Sequence, residues 1–514
     1  MKIRSKRRFS SFLTIVILVV CGIIYISESS EKKDNPLKVQ QEIKVNLFSQ
    51  QAHGADLKDK TEVPKEFLIE KKEEKKQIEK KIIGREYFFV KEHKVRVYSD
   101  IENKKVIDNL AKGTRVEILE EQIETKEIKG KKEQISWVFI KYKNDLKDKK
   151  GWIRKDMLVD ELNKTLPSSW SNLDFNYNKE IVNYPDNPRI DVKGIYVNIY
   201  SIASERKLNK LIQLAKDTDI NAFVIDVKDD NGTLLFPMEG MEKYNPKANR
   251  YNPIKDINSL MKKLKENNIY TIARIVSFKD PSYAKANPEK AIIKRDTGKP
   301  FTNSDGIIWV SPHDRNLWAY NVSVAEAAAK AGFNEIQFDY VRFPASNGGK
   351  LDKFLDYRNV GDQSKPGTIQ KYLKYARTKL APLHVYISAD TYGQIGTFPD
   401  DMGLGQYWES LSTVVDYMCP MQYPSHYGPG AYGLAIPDAN PYKTIYHSTI
   451  DSINRNENID HPAMIRPWIQ AFTATWVKGH INYGPREIKE QVKAMKDLGV
   501  NEYLLWSPSN NYKL

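Results

Sequence analysis

Over 514 residues the chain carries 80 Lys and Arg against 66 Asp and Glu, a formal net charge of +14, and its length suggests two to four domains. The excess is uneven: residues 186–514 hold 41 basic against 36 acidic side chains, a net +5, so +9 lies in the first 185 residues. A C-terminal part this close to balance argues against a nucleic-acid partner, and two cysteines, Cys21 and Cys419, argue against a disulfide framework or a thiolate metal cluster.

The first element is a basic tail, "MKIRSKRR", followed at residues 9–26 by the uncharged run "FSSFLTIVILVVCGIIYI". That run reaches the lower limit for a membrane span. Positive charge before it puts the N-terminus in the cytoplasm and the rest outside. The expectation is a single-pass anchor within residues 1–29 and extracellular C-terminal domains; a cleaved signal peptide is the alternative. Residues 30–83 are rich in Lys, Glu and Gln and read as a charged stalk. Within it "EKKEEKKQIEKK" (70–81) could form a solvated helix through i,i+4 charge pairs.

Residues 84–162 change to short β-branched runs broken by turn residues, the pattern of a small all-β barrel. "VRVY" (95–98), "KGT" (112–114), "VEIL" (116–119), "WVFI" (137–140), "GW" (151–152) and "ML" (157–158) resemble the bacterial SH3-like domain. That resemblance implies binding to cell-wall peptide or glycan, peptidoglycan included; a passive spacer is the alternative. A Pro-, Asn- and Ser-rich linker is expected over 163–190.

From residue 191 strand and helix patterns alternate. "GIYVNIY", "AFVIDVK", "YTIARIVSF", "EIQFDYVRF", "VYISADTY", "VVDYMCPMQY", "MIRPWIQAF" and "EYLLWSP" supply eight strand candidates. Helical patterns such as "SERKLNKLIQLAKDT" lie between most of them. Eight βα units over 191–514 predict a (β/α)8 TIM barrel. A doubly wound sheet is disfavoured, because no Gly-rich phosphate loop follows the first strand.

Alternation along a barrel strand places Ile336, Phe338 and Tyr340 toward the helices, and Gln337, Asp339 and Val341 inward. The fifth strand puts Tyr386, Ser388 and Asp390 inward, the second Asp226 and Lys228, and the seventh Arg466, Trp468 and Gln470. Buried carboxylates need partners, and polar groups gathered at the C-terminal strand ends mark a barrel's active site. Asp339 and Asp390, on neighbouring strands, are the expected catalytic pair for glycoside hydrolysis, with retention and inversion both open. Asp226, Lys228, Asp229, Arg274, Arg342, Tyr392, Gln422, Tyr423, His426, Arg466, Trp468, Gln470 and Trp506 are the expected sugar ligands. Rings stack on apolar sugar faces, and polar groups hold hydroxyls. "DVKDDNG" lacks the spacing of a calcium loop, so neither metal nor cofactor is expected.

"FVIDVKDDNG", "ARIVSFKDP", "GFNEIQFDYVRFP", "SADTYG", "VDYMCPMQYPSHY", "IRPWIQAF" and "LLWSPSNNY" together resemble a bacterial family of TIM barrels described as a putative glycosyl hydrolase domain. The resemblance implies a TIM-barrel fold and activity on carbohydrate; joined to the expected anchor, the reading is an exported, membrane-anchored glycoside hydrolase of an extracellular or cell-envelope polysaccharide, with a non-catalytic glycan-binding barrel as the alternative. A more distant likeness to chitinase-like barrels departs at two positions, Arg342 in place of an acid and Pro424 in place of an aspartate.

Overall fold

The computed structural model describes residues 78–514 apart from 129–130, 178 and 362. The apolar run at 9–26 and the stalk up to residue 77 lie outside the described residues. Among the described residues no helix is long and apolar enough to cross a membrane.

The N-terminal unit is a seven-stranded antiparallel sheet. Its strands, in spatial order, are Val106–Leu110, Val95–Tyr98, Lys147–Arg154, Lys131–Asn144, Arg115–Ile128, Ile78–Val90 and Leu158–Val159. The first strand in sequence starts at Ile78, inside the run read as stalk or helix; it pairs from Ile78↔Glu124 onward. Val97, Val116, Ile118, Val138, Ile140 and Ile153 form the buried core. Gly151 permits the closest approach there: a Cβ would lie 2.4 Å from Val97 Cγ1 and 2.9 Å from the Tyr98 carbonyl.

Eight parallel strands follow: β1 (Lys193–Val197), β2 (Ala222–Lys228), β3 (Tyr270–Val276), β4 (Glu335–Asp339), β5 (Tyr386–Tyr392), β6 (Tyr417–Met421), β7 (Trp468–Gln470) and β8 (Tyr503–Trp506). Neighbours pair in chain order, β8 returns to β1, and β5 pairs β6, so the sheet closes into a TIM-like barrel. All eight expected strands are present. The seventh run is interrupted at Pro467, which lacks an N–H for the ladder; Met464–Ile465 pairs with β6 ahead of it.

Ile195, Ile225, Ile275, Phe338, Ala389 and Leu505 point outward into one apolar layer with the surrounding helices. Helix starts are fixed by side-chain caps. Asp256 accepts from the Ser259 N–H, Asp314 from the Asn316 and Leu317 N–H groups, and Ser364 from the Gly367 N–H.

Residues 163–190, expected as a linker, are a strap beneath the barrel. Lys179 is buried and donates to the Ser412 and Val415 carbonyls at 2.6 and 2.7 Å. Asn187 donates to the Asn334 and His384 carbonyls, both at 2.8 Å, and Arg189 pairs with Asp416. These contacts lie where strands β4, β5 and β6 begin, the N-terminal end of the barrel. The antiparallel sheet docks on the same end through Arg115–Asp460 (2.6 Å) and Lys143–Glu457 (2.9 Å), leaving a cavity of about 380 Å³ between the two units.

Candidate active site

Asp339 ends β4, four residues before the expected end of that strand. The cause is Tyr340, whose φ of 47° lies in the left-handed region that non-glycine residues rarely occupy. The turn directs the Tyr340 N–H onto Asp339 Oδ1. It also breaks the expected alternation. Tyr340 stays packed against the helix-side layer, as expected, its ring meeting Lys279 Nζ at 4.6 Å and Trp309 edge-on at 5.7 Å. Val341 turns away from the interior into the apolar helix-side layer. Arg342 is half-buried, its guanidinium 4.9 Å from the Trp309 ring.

Arg274, pointing inward from β3, organises the carboxylates. It donates to Asp339 Oδ2 through Nε (2.8 Å) and Nη2 (2.6 Å), and to Asp226 Oδ1 through Nη1 (2.6 Å). Its second Nη2 contact is Asp230, at 3.4 Å. Tyr196 donates to the other oxygen of Asp226 at 2.6 Å. Burial, with the nearby Asp230 charge, outweighs these partners and pushes the Asp226 carboxyl up to about 7. Sequence reasoning missed Asp230, although it stands in the same "DVKDDNG" run. Its side chain is 39% exposed, which makes it the accessible carboxylate of this cluster.

The register pairs Phe338 with Ala389, so Asp339 and Asp390 follow as neighbours on strands about 4.8 Å apart. Asp390 Oδ1 accepts from Trp468 Nε1 at 2.7 Å. Asp390 Oδ2 is buried without a hydrogen-bond partner in the protein, and so is the hydroxyl of Tyr423. Burial first, and the Asp339 charge second, push the Asp390 carboxyl well above the usual carboxylate range. The Tyr423 hydroxyl is pushed up by burial and then by the charges of Asp390 and Asp339. Two unsatisfied polar atoms therefore sit beside the carboxylate of β4. Buried polar groups in native proteins are rarely left unpaired, so this is where a ligand oxygen fits.

Other expected ligands lie elsewhere. Between β2 and β3 the register skips Val227, pairing Asp226 with Arg274 and Lys228 with Ile275. This bulge flips the following side chain to the other face. Lys228 consequently sits in the helix layer, bound to Asp280 at 2.7 Å and Asn321 at 2.6 Å. Asp229 folds its own loop, accepting from the Asn231 and Thr233 N–H groups. Gln422 is buried against the helix Pro441–Asn456, bonded to Ser448, Thr449 and Ser452. Arg466 lies at the opposite, N-terminal end of the interior, pairing with Glu335 and Glu502 and lying 3.6 Å over the Tyr417 ring. Gln470 ties loops together through Asp438, the Ser425 N–H and the Phe472 carbonyl.

At the mouth itself, Trp506 stacks on Tyr196 at 4.1 Å and meets Trp468 edge-on at 5.6 Å. Tyr392 is half-buried at the end of β5. His426 lies 5.1 Å from the Tyr423 ring, and burial pushes its imidazole down to about 4, so it is neutral near pH 7. Among the described residues no group of three or more His, Cys, Asp or Glu is placed to hold a metal ion.

Fold and mouth together define a TIM-like barrel with an acidic cluster at the C-terminal ends of its strands. Residues 194–512 match the family model described as "Putative glycosyl hydrolase domain", and the chain belongs to that family. No curated protein matches the sequence. Among solved structures, a hypothetical protein from Ruminiclostridium thermocellum ATCC 27405 is 31% identical over 38% of this chain and 96% of its own, with a TM-score of 0.34. The PgaB (BpsB) glycoside hydrolase domain from Bordetella bronchiseptica is 16% identical over 62% of this chain and 94% of its own, TM-score 0.44. The alpha-galactosidase TtGalA from Thermus thermophilus is 10% identical over 85% of this chain and 90% of its own, TM-score 0.41.

Proposed function

We propose that this chain is an exported, membrane-anchored glycoside hydrolase of an extracellular or cell-envelope polysaccharide, with Asp390 as general acid and Asp339 as nucleophile or base. One observation carries the assignment: Asp390 Oδ2 is buried, unpartnered and adjacent to a carboxylate whose charge favours its protonated form. A pair of carboxyl groups driven toward different protonation states divides acid and base roles. Asp390 transfers its proton to the glycosidic oxygen as the bond from that oxygen to the anomeric carbon breaks. Asp339 either bonds to that carbon or takes a proton from the attacking water. Adjacent-strand spacing, about 4.8 Å, is nearer the roughly 5–5.5 Å of a retaining pair than the wider gap of an inverting one.

Arg274 orients Asp339 and carries the counter-charge. Trp468 fixes Asp390 by its indole N–H, and Trp506 with Tyr392 offers ring faces to the sugar. Export and anchoring are supported by the basic residues 1–8 and the apolar run 9–26. Wall binding by an SH3-like module is supported by the "KGT" turn and Gly151–Trp152 pattern within the antiparallel sheet.

The test is release of reducing ends from purified cell-wall and exopolysaccharide fractions, with products read by mass spectrometry. Asp390→Asn and Asp339→Asn should each lower turnover by about 10²–10⁴-fold while glycan binding persists. Binding without any cleavage by the unsubstituted chain would make the barrel a glycan-binding scaffold.

A further inference from the structure

The loop after β7 carries an aromatic pair that the catalytic assignment does not use. Trp476 is 50% exposed, high for an indole. Single exposed apolar side chains are ordinary, but this one is not isolated. Its ring stacks on Phe472 at 5.9 Å with an interplanar angle of 21°, and Phe472 in turn meets Tyr423 edge-on at 5.9 Å. Tyr423 is the residue whose hydroxyl, like Asp390 Oδ2, is buried without a protein partner. Two ring contacts thus lead outward from that tyrosine to solvent.

The loop is braced from beneath. Phe472 holds its carbonyl against Gln470 Nε2, Tyr483 donates its N–H to Thr473 and its hydroxyl to the Asp438 carbonyl, and Ile481 donates its N–H to Asp438. Gly479, at a φ of 79°, packs on Ile436 where a Cβ would lie 2.5 Å from Cδ1. Rigid aromatic surface that needs no ordering on binding is the kind that yields affinity.

Resting on the glycoside hydrolase reading, we infer that Trp476 and Phe472 form a sugar-stacking subsite for a hexopyranose unit of the same glycan chain, outside the unit cleaved between Asp390 and Asp339. The substrate class is therefore a polymer that extends across the mouth toward the β7 loop. Fragments too short to span from the carboxylates to the indole gain nothing from it.

The experiment uses the full chain carrying Asp390→Asn, with and without Trp476→Ala or Trp476→Phe. The probes are the purified cell-wall and exopolysaccharide fractions and size-graded partial hydrolysates of each. Trp476→Ala should weaken binding of hexasaccharide-length fragments about tenfold, the scale of one aromatic contact. Disaccharide-length binding should stay unchanged, and Trp476→Phe should recover most of the loss. Equal affinity for every fragment length, with and without Trp476→Ala, overturns the subsite. So does failure of the chain with Trp476 intact to bind any fraction. A length-dependent loss in Trp476→Ala, together with undiminished cleavage by Asp390→Asn in the otherwise unsubstituted chain, supports the subsite and overturns the acid assignment. Undiminished long-fragment binding in Trp476→Ala, together with abolished cleavage in Asp390→Asn, does the reverse.

Discussion

Replacing Arg274 with Met keeps most of the side-chain volume and removes the charge that Asp226 and Asp339 share. The ion pairs are nearly dry, with side-chain exposures of 1% for Arg274 and 4% and 5% for the two aspartates. Breaking a buried pair by removing one partner costs about 3–5 kcal/mol. Two aspartates lose their partner, but one proton uptake relieves much of the strain, and effects within one network do not add. The expected loss therefore stays near about 3–5 kcal/mol at pH 7. At roughly 2 °C per kcal/mol for a barrel of this size, the melting temperature falls by about 6–10 °C. The sign of the pH effect follows from linkage. Burial already holds the Asp226 carboxyl up to about 7 with Arg274 in place, and removing the guanidinium, which favours its charged form, raises it further. The extra deficit from this carboxyl is therefore absent well below that value and opens as pH rises through it, by up to about 1.4 kcal/mol per unit for the one retained proton. Thermal unfolding at pH 5.5, 7 and 8.5 measures it, and adding Asp226→Asn and Asp339→Asn should restore most of the loss at pH 8.5. A deficit equal at pH 5.5 and pH 8.5, or a shift under about 2 °C at pH 7, would refute the charge argument.

Tyr423→Phe removes a buried hydroxyl that has no protein partner, so turnover should fall about tenfold while the unfolding midpoint is unchanged or slightly higher; a clear loss of stability would show that the hydroxyl is structural. Asp230→Asn touches an exposed carboxylate 3.4 Å from Arg274; a stability change under about 1 kcal/mol is expected, with the effect falling on KM in steady-state kinetics. Cleavage rate should decline on an alkaline limb as Asp390 loses its proton, and Asp390→Asn should abolish that limb in the residual activity; a limb that survives belongs to another group. Burial pushes the Lys179 ammonium down to about 7 from its ordinary value of 10.5, so the unfolded chain binds more protons between those values and stability rises with pH across that window. Lys179→Met should flatten that rise in denaturant titrations at pH 7, 8.5 and 10.

The barrel is legible in the sequence because each strand is a short apolar run with turn residues at its ends, and neighbouring pairing in a parallel sheet follows chain order. Side-chain direction is legible only while the period of 2 holds. It holds along β4 to Asp339 and along β5, so Ile336, Phe338 and Ala389 lie outward as expected. It fails at two local devices that composition does not encode: the bulge at Val227, which turns Lys228 out of the interior, and the left-handed Tyr340, which redirects Val341. Asp229 and Asp230 show the same limit. Adjacent in sequence and identical in type, they part because one closes a turn on the Asn231 and Thr233 N–H groups while the other is left to face Arg274. The strap is hidden for another reason. Its Pro, Asn and Ser content is that of a loop, and the contacts of Lys179, Asn187 and Arg189 are made to residues more than a hundred positions away.

The interior of the barrel holds two charged clusters, and their difference separates stability from chemistry. At the N-terminal end Arg466 engages both oxygens of Glu335 and one of Glu502, and the strap and antiparallel sheet close that end from below. At the C-terminal end Arg274 engages Asp226 and Asp339, but Asp390 faces them with one oxygen unpaired and Tyr423 with its hydroxyl unpaired. Both ends leave buried polar atoms unpaired, Arg466 Nη2 at one and Asp390 Oδ2 with the Tyr423 hydroxyl at the other, each at about 1–3 kcal/mol; what sets the C-terminal end apart is that its unpaired atoms are a carboxyl oxygen and a hydroxyl. That end is where the half-buried Trp506 and the exposed Trp476 stand, and where active sites of such barrels are built.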